Sequence, residues 1–349
     1  MLSTPARRWA VTGVSFAAAV GASLWVVAST WPAGGAAALP WGAHALALSA
    51  TLLEIGSRAV KVHLSARALG ISLSYGAALR TVLGGDFAAS VTPARSGAEP
   101  ARFLVLAESG VAAAPALLVL FAELFLEMLS LALVGVVLAL VFRHAGAAAL
   151  GGVATVVAGF AAFVLGAGAV AVLLTRRRRV GVGPNAVGPP AWAARVGLTP
   201  ARWGALDRAV AQMHASLRGL RGADRNALLA AYAASVAHVL FRLAVLPALV
   251  LVAAPEVAAG PLVLWPMALF YGGIVAPAPG GAGFVEVAFR ATLGRGAIPA
   301  RLFAASLVWW RFYTFYLYIA LGALAAGGTV MRALRAGGGD ADDAARRAA

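Results

Sequence analysis

Apolar residues along this chain gather in runs too long for a soluble core. Six segments, near Trp9–Ser29, Trp41–His63, Ala112–Phe142, Leu150–Thr175, Asn226–Ala253 and Leu302–Met331, are each long enough to span. About 20 apolar residues cross roughly 30 Å of hydrocarbon. Two more regions, Ala77–Leu106 and Pro261–Leu293, are apolar but broken by Pro, Gly and charge. Pro removes a backbone donor and Gly weakens a helix, so neither region is expected as one clean span. Irregular backbone at membrane depth survives only when buried in protein or lining a wet cavity. Each region therefore reads as a re-entrant helical hairpin. The expected fold is an all-α polytopic membrane protein of six spanning helices and two such hairpins; the alternative is eight simple spans.

Charge orients the pattern. Arg7 and Arg8 place the N-terminus inside; Arg58, Lys61 and Arg67 do the same for the end of the second span. Arg176–Arg179 opens a basic loop, 176–225, with ten arginines against Asp207 and Asp224. Within it, Trp203–Leu220 has the character of an amphipathic surface helix. Arg332 and Arg335 place the C-terminus inside, in a tail (332–349) that turns to Gly, Asp and Ala after Gly337 and reads as disordered. Residues 1–331 form one integral membrane domain with halves at about 1–146 and 147–331. Each half reads span, span, broken hairpin, span, the second inverted relative to the first, as in many secondary transporters. This arrangement leaves Arg290, Arg295 and Arg301 outside.

Composition agrees. The chain is 62% hydrophobic and only 12% charged, against roughly 25% charged in a soluble domain. A net charge of +15 first suggests nucleic acid, but the basic residues sit between apolar spans and read as topology signals. There is no cysteine, which excludes disulfides and thiolate metal sites. The five histidines (44, 63, 144, 214, 238) are dispersed without metal-ligand spacing, and no ATP-binding loop is present. No cofactor or metal is expected.

The two broken regions carry the candidate chemistry. Pro93, Gly97 and Glu99 in the first correspond to Pro279, Gly283 and Glu286 in the second, where Gly280 and Gly281 follow the proline. Glycine lets backbone turn sharply, and free N–H groups at the start of the following half-helix can hold an anion. Charge inside the spans is the second signal. Glu123 and Glu127 share a helix face, Arg242 lies in the fifth span and Arg311 in the last. Charge at the bilayer centre costs at least about 2.5–3.5 kcal/mol, so such residues should face a cavity or one another. Glu54 and Arg58, one turn apart near a membrane surface, are expected either to face the cavity or to form a buried ion pair that only fixes helix packing. Arg80 and Asp86 lie on the first hairpin arm, placed to line the same cavity. The cluster Trp309–Tyr313, with Phe315, Tyr316 and Tyr318, suits an acyl or isoprenoid chain or an interfacial aromatic belt.

Arg67–Gly70, Thr92–Arg102, Glu123–Glu127, Pro277–Glu286 and Arg311–Tyr316 together resemble, in order, the lysylphosphatidylglycerol synthase transmembrane region, also called the flippase-like membrane domain family. The Pro-x-x-x-Gly-x-Glu and Pro-Gly-Gly-x-Gly-x-x-Glu turns are its most specific pieces. The resemblance implies a lipid-translocating domain acting on phospholipids, polyprenyl-phosphate sugars or hopanoids. Its two-domain relatives carry an aminoacyltransferase, which the resemblance does not imply for this chain. The position of Glu127 is often Asp in the family.

The reading is a flippase for an anionic amphipathic lipid in a bacterial inner membrane, not an enzyme. Arg95, Arg242 and Arg311 would bind phosphate. Glu99, Glu123, Glu127 and Glu286 would pair with them or carry coupling protons, and Asp86 would line the cavity. Membrane lipids are the expected partners, with envelope-synthesis enzymes as further candidates and no nucleic acid. The rivals are a membrane enzyme acting on a lipid phosphate and a non-catalytic envelope scaffold.

Overall fold

A computed structural model describes residues 21, 23–32, 35, 37–92, 95–144, 150–155, 157–163, 165–166, 224–272, 281–294 and 296–329. The first half of the first span, nearly all of the basic loop with its surface helix, the end of the fourth span and the tail lie outside these residues. So do Pro93, Pro279 and Gly280.

All regular structure among the described residues is helical. We label α1 (Trp41–Ala68), α2 (Tyr75–Val91), α3 (Ala98–Glu108), α4 (Ala113–Val141) and α5 (Arg225–Leu251). Then follow α6 (Ala259–Gly272), α7 (Phe284–Leu293) and α8 (Ala300–Thr329). Helical residues also occupy 23–30 and 150–155. By length and composition, α4, α5 and α8 are each able to cross a bilayer. At 1.5 Å per residue, α3 and α7 are roughly 16 and 15 Å long, about half a hydrocarbon core.

Both broken regions fold as helix, break, helix. α2 ends at Thr92 and α3 starts behind Gly97; the arms run antiparallel, with Gly85 against Arg102 and Gly84 against Val105. α6 and α7 pack together in the second region. The ends remote from the first break are sharply closed. Gly70 (φ 72°) and Gly110 (φ 83°) terminate α1 and α3, and Ile71 N and Val111 N donate back to Ala66 O and Leu106 O. These are Schellman caps, which need the left-handed residue that glycine supplies. Ser74 then caps α2 by accepting from Ala77 N at 3.1 Å.

The centre of the molecule is the antiparallel pair α1–α5. Ala43, Ala47 and Ala50 of α1 meet Val245, Leu246, Leu249 and Val250 of α5, small residues letting the backbones approach closely. α4 packs on both helices, and α8 on α5 and, through its π-helical segment, on α1. Two apolar cores flank a polar belt along α1. One holds Ala43–Ala50 with Val285, Phe289 and Leu293 of α7; the other holds Val62 and Ala66 with Val82 and Leu106 of the first hairpin. The two hairpins thus belong to opposite ends of α1.

Candidate functional site

Between those cores lies a set of ionisable side chains at helix midpoints. Glu127 is the middle residue of α4, His238 the middle residue of α5, and Glu54 stands at the midpoint of α1. Lys61 Nζ donates to Glu127 Oε2 at 2.7 Å and lies 3.5 Å from Glu123 Oε1. Arg102 Nη1 reaches Glu123 Oε1 and Glu99 Oε1, each at 3.3 Å. Arg58 grips Asp86 in a bidentate fork at 2.6 and 3.1 Å. Tyr318 Oη donates to Glu54 Oε2 at 2.7 Å, and the Arg242 guanidinium sits over the Tyr318 ring. His238 Nε2 donates to Glu127 Oε2 at 2.6 Å.

Among the described residues, five carboxylates (Glu54, Asp86, Glu99, Glu123, Glu127) and five fixed cations (Arg58, Lys61, Arg95, Arg102, Arg242) therefore form two ion-paired clusters, one around Glu54 and one around Glu123, joined into a single network by His238, which lies 3.6 Å from Glu54 and 2.6 Å from Glu127. Most of it is sealed: Glu54 is 0% and Lys61 1% exposed. It opens at the first hairpin tip, where the side chains of Arg95 and Glu99 are 33% and 45% exposed. Arg95 has φ 57°, the left-handed region, and is the one non-glycine residue there among those described. An L-residue held so is strained, and such strain persists only where surrounding structure fixes it. Its Nη2 lies 4.0 Å from Asp86 Oδ1, the longest ion pair of the network.

The glycines of the two tips act differently. Gly97 has φ −80° and owes its identity to space: a Cβ would strike the Thr92 side chain. Gly281 and Gly283 do adopt positive φ, 70° and 77°. The expectation of free amides waiting for an anion is corrected for both glycine amides. Gly97 N donates to Thr92 Oγ1 (2.9 Å) and Gly283 N to Ser23 Oγ (3.1 Å). Glu99 and Glu286 occupy the first turns of α3 and α7, where a carboxylate already complements the helix dipole.

The second tip serves a separate pair. Arg311 Nε donates to Glu286 Oε1 at 2.7 Å, both side chains nearly fully buried, with Phe315 4.3 Å under the guanidinium. Among the described residues this pair shares no ion pair with the network. Arg311 and Tyr318 lie two turns apart on α8, about 10 Å along its axis. The turns between them are π-helical, Phe312–Tyr316, a distortion frequent at functional sites.

Of the residues singled out from sequence, Asp86, Arg95, Glu99, Glu123, Glu127 and Arg242 come together, and Glu286 joins Arg311 instead. Arg80 does not line the site; it pairs with Glu108 and Thr329 Oγ1 at the far end of the hairpin. Arg58 and Lys61 are buried network members rather than topology signals, and Glu54, expected near a membrane surface, stands buried at the midpoint of α1. The aromatic cluster divides: Trp310 is buried against Phe289 and Tyr318 is in the network, while Trp309, Phe312 and Tyr316 are exposed. Lys61, Arg102, His238 and Tyr318 were missed as site residues. For Lys61 the signal was its being the chain's only lysine, seven residues past Glu54 and so on the same helix face.

Long apolar helices converging on mid-helix charge define a multi-pass helical membrane protein. The chain belongs to the lysylphosphatidylglycerol synthase TM region family, whose profile matches residues 10–322, and it is thus a membrane protein of a family that acts on lipids. No curated protein matches it.

Proposed function

We propose that this protein moves an anionic amphipathic lipid between the leaflets of a bacterial inner membrane, with the headgroup passing through the polar network and the tails staying in the bilayer. One observation carries this reading: a largely sealed belt of paired charges at helix midpoints that, among the described residues, is most exposed at the tip of the first broken region, at Arg95 and Glu99. Ten charges in hydrocarbon are tolerable only when paired. A belt serving packing alone has no need of a strained, one-third-exposed arginine at its mouth. Arg95 receives the phosphate, exchanging its loose contact with Asp86 for a bidentate one. Arg102 and Arg242 follow inward.

Two short hairpins packed at opposite ends of α1 support an inverted repeat, with binding near the midplane and alternating exposure. Arg67 at the end of α1 assigns that end, and the first hairpin with it, to the cytoplasm. Both termini are then cytoplasmic. The substrate class is a phospholipid, polyprenyl-phosphate sugar or hopanoid.

The test is leaflet exchange of fluorescent anionic lipids in proteoliposomes for wild type, Arg95→Ala, Glu127→Gln and Arg311→Ala. Exchange by wild type, lowered at least about tenfold in Arg95→Ala, supports the reading. Tenfold corresponds to about 1.4 kcal/mol. Full exchange in all three variants removes the site. Altered lipid mass without exchange points to an enzyme.

A further inference from the structure

Within the network two buried atoms, His238 Nδ1 and Glu54 Oε1, face each other at 3.6 Å. Glu127 Oε2, an acceptor when ionised, takes both Lys61 Nζ and His238 Nε2, so Nε2 carries a ring hydrogen, and in a neutral imidazole it is the only one. His238 Nδ1 is then a lone pair. It points at Glu54 Oε1 from 3.6 Å, and neither atom has a hydrogen-bond partner among the described residues. His238 is 1% and Glu54 0% exposed. Two buried acceptors facing each other are unfavourable, and an unmet buried polar atom costs about 1–3 kcal/mol. A proton on Nδ1 turns that contact into a charge-assisted hydrogen bond.

We propose that His238 is a proton-binding site that loads one proton, on Nδ1, for each singly charged lipid headgroup the network accepts. The proposal rests on the translocation reading and supplies its coupling. With neutral His238, the five carboxylates and five cations that the network holds among the described residues balance. An incoming phosphodiester adds one negative charge, and the imidazolium restores neutrality. The proton is held between Nδ1 and Glu54 Oε1, and leaves when the headgroup leaves; no bond other than N–H is made or broken.

The groups facing His238 suit this role. On α1 they are Glu54, with Arg58 and Lys61 beside it; on α4, Glu127. Tyr318 of α8 holds the other Glu54 oxygen, and Arg242 lies one turn along α5. Arg58 and Arg242 each stand 3.6 Å from Glu54 Oε1, so this oxygen is loosely held and free to close on Nδ1.

Two measurements on the full chain decide it. The first is ¹⁵N-histidine NMR in nanodiscs over about pH 5–8, the range of histidine chemistry. The His238 signal is identified by its absence in His238→Gln. Reversible protonation of Nδ1 with retention of Nε2–H supports the site; a single protonation state throughout overturns it. The second is exchange of a fluorescent phosphatidylglycerol in proteoliposomes over the same interval. Wild type is expected to change at least about tenfold, as a one-proton step allows. His238→Gln, which keeps a donor for Glu127 but cannot titrate, should change less than about twofold. Glu54→Gln, which offers Nδ1 a permanent donor, is a second route to the same flat profile if His238→Gln does not fold. Equal pH profiles for wild type and variants overturn the coupling. If wild type exchanges no lipid at any pH, the translocation reading fails instead, and the NMR result still decides the proton site.

Discussion

The first hairpin brings its tip to a network of ten fixed charges, whereas the second brings its tip to a single pair, Arg311–Glu286. Their sequences announce the two tips as counterparts, and their electrostatics differ in kind. In the network most charges have two or more opposite neighbours, so removing one orphans several. In the pair, removal orphans one, and replacing both leaves nothing unpaired. Buried pairs are often exchangeable for apolar side chains at little cost, while broken ones are not. On the proposed reading the first tip is where charge is organised for use, while the second pins its broken region to α8 through Glu286–Arg311.

The largest effect should come from Lys61→Met. Lys61 is the ammonium between Glu123 and Glu127, and its loss is expected to lower unfolding stability in detergent by about 3–5 kcal/mol. Lys61→Arg should recover part of that. A loss under about 1 kcal/mol would mean that the network is not held electrostatically.

The contrast between tips is sharpened by paired substitutions. Arg311→Met alone should lose about 3 kcal/mol, and Arg311→Met with Glu286→Leu should return to within about 1 kcal/mol of wild type. The same treatment of Arg58→Met with Asp86→Leu should stay well below wild type, since Glu54 and Arg95 each lose a neighbour. Equal recovery at both sites would erase the distinction.

Tyr318→Phe probes the network more gently. It keeps the ring under Arg242 and removes the hydroxyl that donates to Glu54 Oε2 at 2.7 Å. A loss of about 1–3 kcal/mol in unfolding stability is expected, the cost of leaving one buried acceptor unmet.

How much of this was legible depends on whether the signal is local. The long helices and the two breaks were, because period, length and Pro/Gly interruptions act within one segment; α4 and α5 appear within two residues of the expected limits. Glu123 and Glu127 were legible because four residues put both on one face. Lys61 and Arg58 were misread because charge near the end of an apolar run has two physical uses, holding a loop in water or neutralising a neighbour. Only a partner helix decides between them. His238 was passed over for the same reason: its partners, Glu127 and Glu54, lie on other helices, 111 residues away for Glu127. Register between helices is a tertiary fact, and α1 is where it was needed.

The smallest stability change, and the one that separates architecture from function, belongs to Arg95→Gly. Left-handed backbone costs an L-residue roughly 1–2 kcal/mol, and glycine relieves it. Against that stands about 0.5–1 kcal/mol for glycine's greater freedom when unfolded. The 4.0 Å contact to Asp86, from a side chain one-third exposed, adds no more than about 1 kcal/mol. These terms nearly cancel, so stability should stay within about 1 kcal/mol of wild type. Lipid exchange should nonetheless fall at least about tenfold, because the first phosphate contact is gone. Arg95→Lys should lie between, keeping the charge without the planar fork. A residue kept in strained backbone for packing would behave in the opposite way, losing stability and sparing exchange. Measuring unfolding and exchange on the same two variants therefore decides whether the mouth of the network is structure or site.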